Sequence, residues 1–83
     1  MKILKFFSPF CGPCKVLDKN LKSSGVSYTR VDITSEEGEP LVETYSVKAV
    51  PTLIITDDEG KELMRNVGIM SPENIKNLIE EWE

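Results

Sequence analysis

The chain contains no histidine, and cysteine occurs only twice in its 83 residues. Structural zinc takes four Cys or His ligands. One chain cannot complete that set, although two chains could contribute two cysteines each. Long apolar runs are also missing. No stretch approaches the roughly 18 apolar residues of a membrane span, so no membrane contact is expected. There is no internal repeat, no low-complexity tract and no linker, which leaves a single domain over residues 1–83. The opening MKILKFFSPF is too short for the apolar region of a signal peptide. Lys5 interrupts it, and no small-residue cleavage site follows. It is expected to be the first strand of a mature, cytoplasmic protein. Basic residues are outnumbered 10 to 14, a net charge of −4, which argues against nucleic acid as the main partner.

The hydrophobic fraction of 40% and charged fraction of 29% fit a soluble globular domain. A core of this size is marginal and depends on good packing. The charge is uneven, with residues 1–35 summing to +4 and residues 36–83 to −8. Both cysteines lie in the basic part. The lysines there read as a solvated helix face, or as groups that stabilise a thiolate or steer an acidic partner.

KILKFF (2–7) is a short, large-apolar run that suits a buried strand. SPFCGP interrupts it. From Pro13, Cys14, Leu17 and Leu21 recur at helical spacing. Pro13 fits a first helical turn, and Gly25 a C-terminal cap. VSYTRVDI (26–33) alternates as a strand does. Thr34 and Glu37 suggest a capping box, with a helix that settles only after Pro40 and buries Leu41, Val42 and Tyr45. TLIIT (52–56) is a strand, DDEGK (57–61) a turn and KELMRNV (61–67) a hairpin partner ended by Gly68. The last helix has Ser71 as N-cap, Pro72 first, and Ile75, Leu78, Ile79 and Trp82 on one face. Trp82 is expected in the core. The order β-α-β-α-β-β-α predicts an α/β fold. Its sheet is four-stranded and mixed, with strands 1 and 2 parallel, a C-terminal hairpin and helices on both faces.

The two cysteines form C-x-x-C in SPFCGPCK (8–15). A purely structural disulfide would close a tiny loop and remove little unfolded-state entropy. It would also be an odd staple in a chain without an export signal. The redox reading gains from position. A cysteine at a helix start faces unpaired N–H groups and the positive end of the helix dipole, and both favour the thiolate. Cys11 is then the exposed nucleophile, and Cys14, one turn inside, the buried second thiol. Gly12 leaves the approach open and Pro13 stiffens the turn. C-x-x-C near a βαβ pattern is a thioredoxin-like signal.

CGPC (11–14), with VPT (50–52) at the expected distance, resembles the thioredoxin superfamily over essentially the whole chain. The size is that of a glutaredoxin, without the N-terminal strand and helix of full-length thioredoxin. The resemblance implies a thioredoxin-like fold and a Cys11–Cys14 dithiol–disulfide cycle acting on protein disulfides. It also implies no bound cofactor and recycling by a flavin reductase of the thioredoxin-reductase type. Pro51 is expected cis, facing the disulfide, with Val50 offering backbone hydrogen bonds to an extended substrate segment. Phe10, Gly12, Pro13, Gly68 and Ile69 are expected to form the apolar rim, and a monomer is expected. The alternatives are glutathione-linked chemistry, for which NVGIMSP supplies no clamp, and a thioredoxin-fold binding subunit that leaves its thiols unused. Two positions depart from the family pattern. Phe10 stands where Trp is usual, and Lys5 where a buried Asp is usual. Arg30 falls where the family often has a lysine. Lys5 is expected to pack its stem at the strand edge, to snorkel to solvent, or to lie near Cys14 and tune its pKa.

Overall fold

In the computed structural model, which describes residues 1–82, the two most apolar runs become adjacent central strands. β1 (Lys2–Phe7) pairs antiparallel with β3 (Thr52–Thr56), and β2 (Thr29–Asp32) lies parallel to β1 on its other side. β4 (Glu62–Val67) closes the hairpin onto β3, giving the order β2-β1-β3-β4. The parallel β1–β2 pair requires a crossover, and α1 (Gly12–Ser24) supplies it. α2 (Glu39–Thr44) and α3 (Pro72–Trp82) complete the chain.

The pleat sends alternate β1 and β3 side chains to opposite faces, and each face receives helices. Ile3, Leu53 and Ile55 pack with Leu17 and Leu21 of α1 and Ile75 and Ile79 of α3. Leu4, Phe6, Val31 and Ile54 pack on the other face, joined by Leu41, Val42 and Tyr45 from α2 and its C-terminal end. This is the four-stranded mixed sheet with helices on both faces that the pattern of the sequence predicts.

The helix ends follow from their capping residues. α1 stops at Gly25, whose φ of 75° is left-handed and suits a residue without Cβ. Ser71 Oγ accepts the Asn74 N–H at 3.1 Å at the start of α3.

Four expectations need correction. β2 covers four residues rather than the whole of 26–33, because Val26 and Tyr28 are used in the α1/α3 core before strand pairing begins. No capping box forms between Thr34 and Glu37. The Thr34 hydroxyl donates instead to the Asp32 carboxylate, and the Gly38 N–H to Ser35 Oγ. Trp82 is 39% exposed, since Ile75 and Ile79 already fill the inward face of α3. Lys5 neither sits at an edge nor reaches solvent. β1 is a central strand, and Lys5 is 1% exposed beneath α1.

Candidate active site

Cys11 is the N-cap of α1, with extended backbone, and its N–H donates to Ser8 O at 3.1 Å. The Cys14 N–H donates to Cys11 Sγ at 3.1 Å. The sulfur therefore occupies the capping place that a serine oxygen would take. No acidic residue stands in the first turn, so the positive end of the helix acts on that sulfur without a competing carboxylate. Cys11 and Cys14 are joined by a disulfide, with Cα atoms 5.2 Å apart. The two cysteines differ in burial. Cys11 is half-buried, whereas Cys14 is 2% exposed.

The antiparallel register places Thr52, at the start of β3, opposite Phe6, at the end of β1. The segment before β3 thus lies next to the loop that carries the cysteines. There the Val50–Pro51 peptide bond is cis. Pro51 O accepts the Gly68 N–H at 2.9 Å, which fastens Gly68 and Ile69 to Val50 and Pro51. Asn20 Nδ2 donates to Met70 O at 2.8 Å, tying the same segment to α1. Phe10 is 93% exposed, Gly12 and Pro13 are exposed, Val50 is half-buried and Pro51 buried. Ile69 and Val67 are both exposed apolar residues beside this segment. Val67 was not singled out by the sequence, because it reads as an ordinary strand residue.

The other candidates, Lys5 and Arg30, belong to a separate cleft of about 130 Å³. Its lining includes Lys5, Phe7, Ser8, Pro9, Cys14, Lys15, Asp18 and Arg30, and none of Val50, Pro51, Gly68 or Ile69. Lys5 and Arg30 are register partners on adjacent strands. Both cations lie over the Phe7 ring, at 5.0 and 4.5 Å from its centroid. Two like charges side by side need a counter-charge, and Asp18 provides it from α1. Its carboxylate meets Lys5 Nζ at 3.2 Å, Lys22 Nζ at 3.2 Å and Arg30 Nε at 3.5 Å, and accepts from the Tyr28 hydroxyl at 2.6 Å. Burial alone would raise the Asp18 pKa. The Tyr28, Lys22 and Lys5 contacts outweigh it and hold the carboxyl well below the usual range. Burial likewise pushes the Lys5 pKa down, against the opposing pull of Asp18. The Tyr28 phenol is pushed up to about 12 by burial and by its bond to the carboxylate.

Asp18 is the residue the sequence reading missed. Its signal was present in the spacing. Cys14 and Asp18 are four apart in a helix and so share a face. Among the described residues, no three His, Cys, Asp or Glu side chains gather as metal ligands, and no helix is long and apolar enough to cross a membrane.

The family description Thioredoxin matches residues 1–81. The SPbeta prophage-derived thioredoxin-like protein YosR of Bacillus subtilis is 31% identical over 81 residues, covering 98% of both chains. A thioredoxin of Chlamydia trachomatis is 38% identical over 82 residues, covering 93% of this chain and 78% of its own. Among solved structures, a mutant thioredoxin from Halobacterium salinarum superposes with a TM-score of 0.82 at 27% identity, over 96% of this chain and 72% of that one. Thioredoxin 1 of Thermosipho africanus gives 0.74 at 28% identity, over 99% and 93%.

Proposed function

Because the chain belongs to the thioredoxin family, a family of thiol–disulfide oxidoreductases, we propose that it reduces disulfide bonds in other proteins. The observation that carries this reading is the asymmetry of the Cys11–Cys14 pair. One sulfur caps a helix start free of acidic residues, and the other is buried one turn inside.

In the reduced protein, Cys11 ionises first, favoured by the helix N-terminus. Its thiolate attacks one sulfur of the substrate disulfide. A Cys11–substrate bond forms, the substrate's own S–S bond breaks, and the released thiolate takes a proton from solvent. Cys14 then loses its proton and attacks Cys11 Sγ. The Cys11–Cys14 bond forms and the second substrate sulfur leaves as a thiol. Two electrons pass from the protein to the substrate.

Substrate recognition falls to the apolar rim of Phe10, Gly12, Pro13, Gly68 and Ile69, and to Val50 beside Pro51, whose backbone groups suit an extended segment. Main-chain recognition places little demand on sequence, so one protein can serve many disulfides. A thioredoxin-reductase-type flavoenzyme would restore the dithiol. A reducing compartment such as the cytoplasm is the setting in which a dithiol of this kind works, and the protein would act as a monomer.

The test is reduction of insulin disulfides in two parallel arms, one driven by NADPH with thioredoxin reductase and the other by glutathione with its reductase. Turnover in the first arm alone is expected. Turnover only in the second would assign glutathione-linked chemistry. Failure in both, with biological activity kept by Cys11→Ser/Cys14→Ser, would make the protein a binding subunit.

A further inference from the structure

The cleft beside Cys14 has a charge arrangement that thiol–disulfide exchange does not by itself require. Cys14 and Asp18 lie one turn apart on the same face of α1. Beneath them β1 carries Lys5, and β2 carries Arg30, with Tyr28 just ahead of that strand. Lys5 is almost wholly buried, and among the described residues its ammonium has one hydrogen-bond partner, Asp18 Oδ1 at 3.2 Å. The same carboxylate is met by Tyr28, Lys22 and Arg30. A carboxylate so surrounded stays ionised and makes a poor proton acceptor. It instead keeps a buried lysine charged and fixed. An ammonium in that place without a partner would neutralise rather than remain charged away from water. The charged groups that line the cleft with Cys14 are Lys5 from β1, Arg30 from β2, and Lys15 and Asp18 from α1. Three cations stand against one carboxylate.

We propose that Asp18 is a positioning residue that holds the Lys5 ammonium on the wall of the cleft it shares with Cys14, so that the resolving thiol ionises against a fixed cation. The inference rests on the exchange reaction described above and assigns its second half. The Cys14 thiol releases its proton to water in the cleft, which has room for it. The thiolate, stabilised by Lys5, attacks Cys11 Sγ. The Cys11–Cys14 bond forms, the Cys11–substrate bond breaks, and the departing substrate thiolate is protonated from solvent. The substrate disulfide is the only oxidant.

The experiment titrates Cys14 alone, in a Cys11→Ser background, by the ultraviolet absorbance of its thiolate. Serine is a good N-cap, so α1 keeps its start. Lys5→Met is expected to lower the thiolate-to-thiol ratio at neutral pH roughly tenfold, because an opposite charge nearby shifts a pKa by about one unit or more. Asp18→Asn is expected to lower that ratio as well, since Lys5 then loses its charge. In the Lys5→Met background the sign reverses. There Asp18→Asn raises the ratio, as only direct repulsion between carboxylate and thiolate is left to remove. Asp18→Glu restores the ratio toward that of the Cys11→Ser parent.

Two results overturn the proposal. One is an Asp18→Asn variant that raises the ratio while Lys5 is present, which would make Asp18 merely a neighbouring negative charge. The other is an unchanged ratio in Lys5→Met, which by itself suffices should Asp18→Asn fail to fold. Insulin turnover does not enter the titration, so failure of the exchange reading would show in the reductase arms and leave these ratios untouched.

Discussion

Asp18 and Lys5 are bonded to each other, yet their removal should have unequal effects. Among the described residues Lys5 depends on Asp18 alone, whereas Asp18 keeps Tyr28, Lys22 and Arg30 when Lys5 is gone. Breaking a buried ion pair from the side that strands a charge costs about 3 kcal/mol or more, while an apolar replacement of similar shape can be nearly neutral. Asp18→Ala is therefore expected to lower urea stability by about 3 kcal/mol, and Lys5→Met by under about 1 kcal/mol. Equal losses would contradict this assignment of partners. The pH dependence follows from the same site. The folded-state pKa of Asp18 lies below its ordinary value. Its contribution is thus present above the unfolded pKa of about 4 and fades as pH falls through the folded value. Urea midpoints measured from neutral to strongly acid pH should decline less steeply in Lys5→Met/Asp18→Asn than in Lys5→Met, where Tyr28 and Lys22 still hold the Asp18 carboxyl low and no buried lysine titrates. The sequence pointed to Lys5 as an anomaly but not to its partner. Nothing local marks Asp18 except its distance of one turn from Cys14, and the lysine that needs it comes from another element.

At the scale of elements, the strongly patterned segments were legible and the weakly patterned ones were not. β1 and β3 are apolar runs, α1 and α3 each carry an apolar stripe with a capping residue, and these local preferences agree with the packing. The segment from Thr34 to Pro40 carries few apolar residues, and several polar side chains compete for the same backbone groups. Ser35 and Asp32 win that competition over Thr34 and Glu37. Gly38 is a case in point. Its constraint is close approach of the backbone. A Cβ at Gly38 would fall 2.1 Å from the Asp32 carbonyl oxygen, which is backbone and cannot step aside. Gly38→Ala should cost about 2 kcal/mol, in the range of overpacking, by urea unfolding. Gly12→Ala is the control, because nothing lies within 4 Å of its Cβ position. Similar stabilities for the two variants would contradict this account of the loop.

For the whole molecule, the functional division is between two surroundings of one disulfide. Cys14 lines the charged cleft with Lys5, Asp18 and Arg30, whereas Cys11 and the exposed apolar residues Phe10, Val67 and Ile69 are not in its lining. Phe10 is the most exposed large apolar side chain, at 93%, and supports nothing inside the fold. Phe10→Ala should therefore leave stability within about 0.5 kcal/mol. It should lower kcat/KM for a protein disulfide several-fold while sparing a small disulfide such as cystine. Equal losses on both substrates would place Phe10 in the chemistry rather than in docking. The sequence could suggest the rim because its members flank the motif and its partner proline. It could not show that the Gly68 N–H to Pro51 O bond carries the β3–β4 pairing one step past Thr52 and Val67 and so sets Gly68 beside Pro51.

The central claim is that Cys11 attacks and Cys14 resolves. It is tested most directly by trapping. Cys14→Ser and Cys11→Ser are each mixed with a disulfide-bonded protein, quenched in acid and analysed by mass spectrometry. The account predicts a mixed disulfide on Cys11 in Cys14→Ser that a small dithiol removes, and little adduct in Cys11→Ser. An adduct that forms as fast on Cys14 in Cys11→Ser, or none on Cys11 in Cys14→Ser, would contradict it.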